Sequence, residues 1–156
     1  STMVLLPLIR SRVDVPIIAA GGICDGATMA AAFALGAEGV QMGTRMVSAA
    51  ESPVHSNWKD AIVAAAETDT LFLNSQHSPA LRAMRTTRTE ALVTAKHNVF
   101  RDFGDAPALY FGGDMEAAIA LTGEVAGRID SVRPVADIIH DTVAEFAQVI
   151  ARLTGH

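Results

Sequence analysis

Residues Val15-Pro16-Ile17-Ile18-Ala19-Ala20 form an unbroken apolar run that stops on Gly21-Gly22, and no other stretch of the chain restricts the fold so tightly. The run is too short for a buried helix, and apolar residues without alternation are how a strand covered on both faces reads. Asp25-Gly26-Ala27-Thr28 then supplies a turn and a helix start, Met29 to Leu35 is rich in Ala and Leu, and Gly36 ends that helix. Gly39-Val40-Gln41-Met42-Gly43-Thr44-Arg45-Met46 reads as a second short strand entering a loop. The spacing of the two strands matches one right-handed crossover through a helix, so an α/β fold with a parallel sheet is expected.

Composition agrees with a packed core. Of 156 residues, 50% are hydrophobic and 5% aromatic, with a mean hydropathy of +0.29. This favours helices on a buried sheet over an aromatic-rich binding surface. Twelve Lys and Arg against 17 Asp and Glu give a net charge of -5, which argues against a general nucleic-acid binder. The charge is uneven: Arg82, Arg85, Arg88, Lys96 and Arg101 face a single acid, Glu90, between positions 82 and 101. That stretch reads either as a solvated face or as a contact for an anionic ligand tail or partner. One cysteine, Cys24, excludes a disulfide framework and a cysteine-based zinc site. No apolar run is long enough for a membrane span and no signal peptide is visible, so a cytoplasmic setting is expected, without membrane.

Elsewhere the patterns are helical. Thr2 to Arg10 carries Val4, Leu5, Leu8 and Ile9 at helical spacing. Ser52-Pro53 looks like an N-cap followed by a first-turn proline, starting a helix to about Ala66. Thr70 to Leu73 reads as a short strand, Ser75 to Thr89 as irregular or hairpin-like, and Glu90 to Lys96 as helical. Tyr110 to Asp114 breaks the chain, and Met115 to Ala126 reads as a helix with Ile119 and Leu121 inward. Pro134 to Leu153 places Val135, Ile138, Ile139, Val143, Phe146, Val149, Ile150 and Leu153 on one amphipathic stripe.

Gly21-Gly22 and Gly43-Thr44 fall at the carboxyl ends of two consecutive parallel strands, where α/β proteins build ligand sites. Glycine admits close approach of a ligand to the backbone, its N–H groups can converge on an anion, and a threonine hydroxyl adds a donor. Three or four charge-assisted hydrogen bonds of about 1.5–3 kcal/mol each would hold a phosphate. A glycine pair after a strand is also a common tight turn. Gln41 alternates with Val40 and Met42, so it projects either toward a ligand or toward a buried backbone group.

Pro16-Ile-Ile-Ala-Ala-Gly-Gly-Ile23, Ala34-Leu-Gly-Ala-Glu-Gly-Val-Gln-Met-Gly-Thr-Arg-Met46 and Glu51-Ser-Pro-Val-His55 resemble blocks of the nitronate monooxygenase family. The same blocks occur in flavin-dependent enoyl-acyl-carrier-protein reductases. The likeness is strong over 13–66, weak over 67–110, and returns near Ala120-Leu-Thr-Gly-Glu-Val-Ala-Gly127. It implies the C-terminal portion of an FMN-binding TIM-type (β/α)₈ barrel with additional helices. Segment 1–66 would hold the last βα units and the FMN phosphate site, 67–110 a helical or irregular insertion, and 111–156 the closing helices. Gly21, Gly22, Gln41, Met42, Gly43 and Thr44 match flavin-contacting positions of the family, and Glu124 stands where the family usually has Gln.

The implied reaction is oxidation of an alkyl nitronate by O₂. The alternatives are an FMN-dependent reductase or dehydrogenase acting on an acyl thioester, with NAD(P)H as candidate electron donor, and a non-catalytic subunit that needs a second chain. The family's catalytic His, in a Gly-His-Gly-like loop, has no match here, so the catalytic residue is unknown and Ser1 is expected just beyond that loop. A barrel of this type takes about 250 residues, so the N-terminal half is expected as another chain or a segment outside this sequence. His55 is expected to cap or pack, His140 to lie on a helix surface, and Cys24 to fill the core. Lys59 and Lys96 are expected on surface helices, which disfavours a lysine-dependent lyase.

Overall fold

The computed structural model describes residues 1–155, and the chain divides into two compact units, Ser1–Gly43 with Arg133–His156, and Thr44–Val132. In the first of these units the last helix returns to pack on the first βα unit.

In the first unit, helix α1 (Thr2–Arg10) leads into strand β1 (Ile18–Ala20), helix α2 (Gly26–Ala34) and strand β2 (Gly39–Gln41), and the long helix α7 (Val135–Thr154) completes it. Strands β1 and β2 are parallel, with Ile18 opposite Gly39 and Ala20 opposite Gln41. The start of α2 is fixed by a reciprocal cap: Asp25 Oδ1 accepts from the Thr28 amide at 2.8 Å, and Thr28 Oγ1 accepts from the Asp25 amide at 3.2 Å. Its end falls at Gly36, whose φ of +100° suits glycine. Leu6, Ala19, Ile23, Ala32 and Ala37 form the core beside the strands.

Helix α7 lies across α2 at its N-terminus. A Cβ at Gly26 would strike the Phe146 amide nitrogen and stand 2.5 Å from the Thr142 carbonyl oxygen. Phe33 and Phe146 meet edge to face at 5.1 Å. Ile138 and Thr142 are the buried side chains of α7. The amphipathic helix expected over Pro134 to Leu153 is present, and its apolar stripe is only partly covered: Ile139, Val143, Ile150 and Leu153 are exposed, because only the face toward α2 is covered among the described residues. The strand expected to be buried on both faces is also corrected: Ala19 is buried, but Ile18 is 68% exposed, because among the described residues only the Ala19 face of β1 is covered.

The second unit begins with the short helix α3 (Thr44–Val47) and helix α4 (Ser56–Val63). Strands β3 (Thr70–Leu73) and β4 (Leu81–Met84) form the antiparallel hairpin, followed by helices α5 (Thr87–Leu92) and α6 (Ala106–Tyr110). Three expectations fail here. The helix expected over Glu90 to Lys96 ends at Leu92 in α5, so Lys96 is not helical. The helix expected from Ser52-Pro53 starts three residues later, because His55 is its cap, with Nδ1 accepting from the Asn57 amide at 3.2 Å. Residues 115–126 are not a helix: the Met84 amide donates to the Ala120 carbonyl at 2.9 Å and the Thr122 amide to the Arg82 carbonyl at 3.1 Å. After a turn at 115–117, Ala118 bridges to Gly104 and residues 120–122 run along β4, burying Ile119 and leaving Leu121 39% exposed, before a 3₁₀ turn over Glu124–Arg128. Long-range pairing outweighs the helical preference of Ala and Met. Trp58 is buried, and its Nε1 donates to Thr122 Oγ1 at 3.1 Å.

Candidate functional site

The parallel register brings the two glycine corners side by side, since Gly21 follows Ala20, Met42 follows Gln41, and Ala20 and Gln41 are partners. Gly21 and Gly22 both adopt left-handed backbone, at φ +88° and +81°, which a side chain would strain. The peptide between them is oriented by α1: Thr2 Oγ1 donates to the Gly21 carbonyl at 2.9 Å. No described residue accepts from the Gly22 or the Gly43 N–H. A Cβ at Gly22 or at Gly43 would find nothing within 4 Å. Two unclaimed donors with open space above them are the features a bound anion requires.

Gln41 is exposed at the end of β2, and Met42 is half-buried against the core around Leu6 and Ala19. Thr44 opens the second unit, where it is buried and its Oγ1 accepts from the Gly123 amide at 2.8 Å. Its hydroxyl oxygen thus holds the start of the 3₁₀ turn at Glu124. Glu124 itself is exposed, 3.7 Å from Arg82.

Helix α2 begins just past Gly21-Gly22, yet its N-terminus is already supplied with negative charge. Besides the Asp25 cap, Glu145 of α7 accepts from the Gly26 amide at 2.8 Å. Carboxylates at a helix N-terminus offset its partial positive charge. An anion here is therefore left to the glycine corners. Sequence reading missed Thr2 and Glu145, whose partners lie 19 and 119 residues away with no local signal.

Among the other candidates, Cys24 is buried with Sγ 3.6 Å from Asp25 Oδ2. His140 is exposed on α7, and His97 and Asp102 form an exposed pair at 2.5 Å. His77 Nε2 lies 3.1 Å from the Lys96 carbonyl, and His156 lies outside the described residues. Lys59 ties its Nζ to the Ala50 and Ser52 carbonyls. The basic stretch is largely spent on the fold. Arg82 donates to Thr70, Arg85 to Glu90 and the Thr68 carbonyl, and Arg88 to the Glu116 and Asp102 carbonyls. Glu116 in turn accepts from the Arg88 and Thr87 amides, and the first of these bonds leads in holding its carboxyl below the usual range. Among the described residues no group of side chains could hold a metal ion, and no helix is long and apolar enough to cross a membrane.

Comparison with known proteins agrees with this architecture. The family model for nitronate monooxygenase matches residues 1–145. A protein of Mycobacterium tuberculosis named as a monooxygenase is 31% identical over 99% of this chain and 45% of its own length. FabK from Thermotoga maritima superposes with a TM-score of 0.91 and 38% identity, over 99% of this chain and 51% of that one. Nitroalkane oxidase from Streptomyces ansochromogenes, at 24% identity, shares the fold with a TM-score of 0.78 over 98% of this chain and 45% of its own. The chain thus spans about half the length of these proteins. Over that half, it belongs to the nitronate monooxygenase family.

Proposed function

We propose that this chain is the flavin-phosphate-binding part of an FMN-dependent oxidoreductase of the nitronate monooxygenase type, oxidising alkyl nitronates with O₂. The observation that carries the proposal is the pair of unclaimed N–H groups at Gly22 and Gly43, on adjacent strand ends with open space above both. Bound there, the flavin supplies the redox chemistry. The protein's part is to grip the phosphate through backbone donors, with Gln41 offering an amide and Met42 an apolar edge at the same strand end. No residue of this chain is assigned a catalytic role. The other half of the barrel, on another segment or another chain, covers the apolar face where Leu5 and Ile18, both more than half exposed, lie together beside Ile9 and Ile17. Such a face is otherwise a liability in water.

Titration of the protein with FMN, followed by flavin fluorescence, tests the cofactor. Oxygen uptake with an alkyl nitronate, in a polypeptide containing the complementary half, tests the reaction. Saturable FMN binding and nitronate-dependent oxygen uptake are expected. Failure of the wild-type chain to bind FMN, alone and with that half, would refute the reading.

A second reading, reduction of an enoyl thioester with NAD(P)H, is favoured by the close superposition on FabK. The arginines at 82, 85 and 88 do not support a thioester carrier arm in this stretch, because they are engaged within the fold. Oxidation of NAD(P)H that depends on an unsaturated acyl thioester, without nitronate turnover, would select this reading.

A further inference from the structure

We propose that Thr2 is a positioning residue of the phosphate cradle, whose hydroxyl holds the Gly21 carbonyl and so aims the Gly22 N–H at the ligand. This rests on the proposed FMN site. In a trans peptide the carbonyl of one residue and the N–H of the next lie in one plane and point in opposite directions. The Thr2 Oγ1 bond of 2.9 Å to the Gly21 carbonyl therefore fixes the Gly22 N–H on the side away from α1. That N–H is one of the two unclaimed donors. The restraint matters because Gly21 and Gly22 have no side chains to hold them, and left-handed, right-handed and extended backbone are all open to glycine. Thr2 Oγ1 is also 3.7 Å from where a Cβ of Gly21 would lie, so helix and corner are in contact, not merely bonded at long reach. Without the hydroxyl the 21–22 peptide is free to rotate, and binding must first select the competent orientation.

Thr2→Val keeps the shape and removes the donor, whereas Thr2→Ser keeps the donor. The test compares FMN with riboflavin, which has the same ring system and no phosphate, on both variants and the wild type. Because Thr2 acts on the phosphate donor, Thr2→Val should weaken FMN binding by about fivefold to tenfold, the scale of one lost hydrogen bond. Riboflavin binding should not change, and Thr2→Ser should restore FMN affinity. The Gly22 amide resonance of the ligand-free protein should move in Thr2→Val and not in Thr2→Ser, a readout independent of flavin. Unchanged FMN affinity in Thr2→Val, or an equal loss for riboflavin, would overturn the role of Thr2. Failure of the wild type to bind FMN, with the Gly22 resonance still moving in Thr2→Val, would instead overturn the cofactor assignment, and the cradle with it.

Discussion

Gly43→Val separates cofactor binding from folding. The backbone at Gly43 is outside the left-handed region, and a Cβ there meets nothing within 4 Å. Replacing glycine at such a position also restricts the unfolded chain, which offsets any small loss. The change in folding stability should therefore stay within about 0.5 kcal/mol. Binding is another matter, because the isopropyl group occupies the space above the corner where the phosphate is proposed to sit. A phosphate pushed out of reach of the Gly22 and Gly43 N–H groups forfeits two charge-assisted hydrogen bonds of about 1.5–3 kcal/mol each. Together these correspond to a loss of about 10²–10⁴ in affinity. Fluorescence titration with FMN gives the affinity, and thermal unfolding followed by circular dichroism gives the stability. If FMN binds Gly43→Val as tightly as the wild type, the phosphate is not at this corner. If unfolding shifts as much as binding does, the corner is structural. Gly22→Val is less clean, because φ of +81° strains any side chain by about 1–2 kcal/mol before a ligand is considered.

Gly26→Ala should push α7 off α2 and lower stability by about 3 kcal/mol, the upper range for overpacking, since its Cβ lands on the Phe146 and Thr142 backbone; a smaller loss in urea unfolding than about 1 kcal/mol would show that the helices yield easily. Thr44→Val should cost about 1–3 kcal/mol by stranding the Gly123 amide, with Thr44→Ser near wild type, as read by chemical denaturation. The carboxyl of Glu116 titrates below the ordinary glutamate value of 4.5 because the Arg88 amide above all stabilises its charged form. Its contribution is thus complete above pH 4.5 and lost as pH falls through the lower folded value, and Glu116→Gln should flatten the acid limb of a stability-against-pH curve.

The legible part of the fold is the part whose signals are local. The run to Ala20, the Asp25–Thr28 cap and the left-handed Gly36 lie within 22 residues and agree with one another, so β1, α2 and β2 could be read in order. Residues 115–126 were opaque for the opposite reason. Their Ala and Met content favours a helix, but β4, more than 30 residues earlier, offers the Arg82 carbonyl and the Met84 amide as backbone partners. At Ser52-Pro53 the expected cap lost to His55, and Lys59 holds the Ser52 carbonyl that a helix capped there would have used. Thr44 was legible as a polar residue at a strand end. That its oxygen serves Gly123, 79 residues away, was not.

The same distinction bears on where an anion can bind. A helix N-terminus is a common anion site, because its unpaired amides present a partial positive charge. The folded chain spends that charge internally: Asp25 takes the Thr28 amide, and Glu145 reaches across from α7 to the Gly26 amide. Two carboxylates at that end would repel a dianionic phosphate more strongly than the remaining dipole attracts it, since full charges outweigh a half-charge at comparable range. The Gly22 and Gly43 amides carry no such counter-charge, and Thr2 is bonded to the far side of the first. These charges favour the crease between the two strand ends over the helix axis as the place for the proposed phosphate. In the proposed site the phosphate would be gripped by the Gly22 and Gly43 amides, which is why two glycines, and the threonine that orients one of them, are the residues whose replacement tests it.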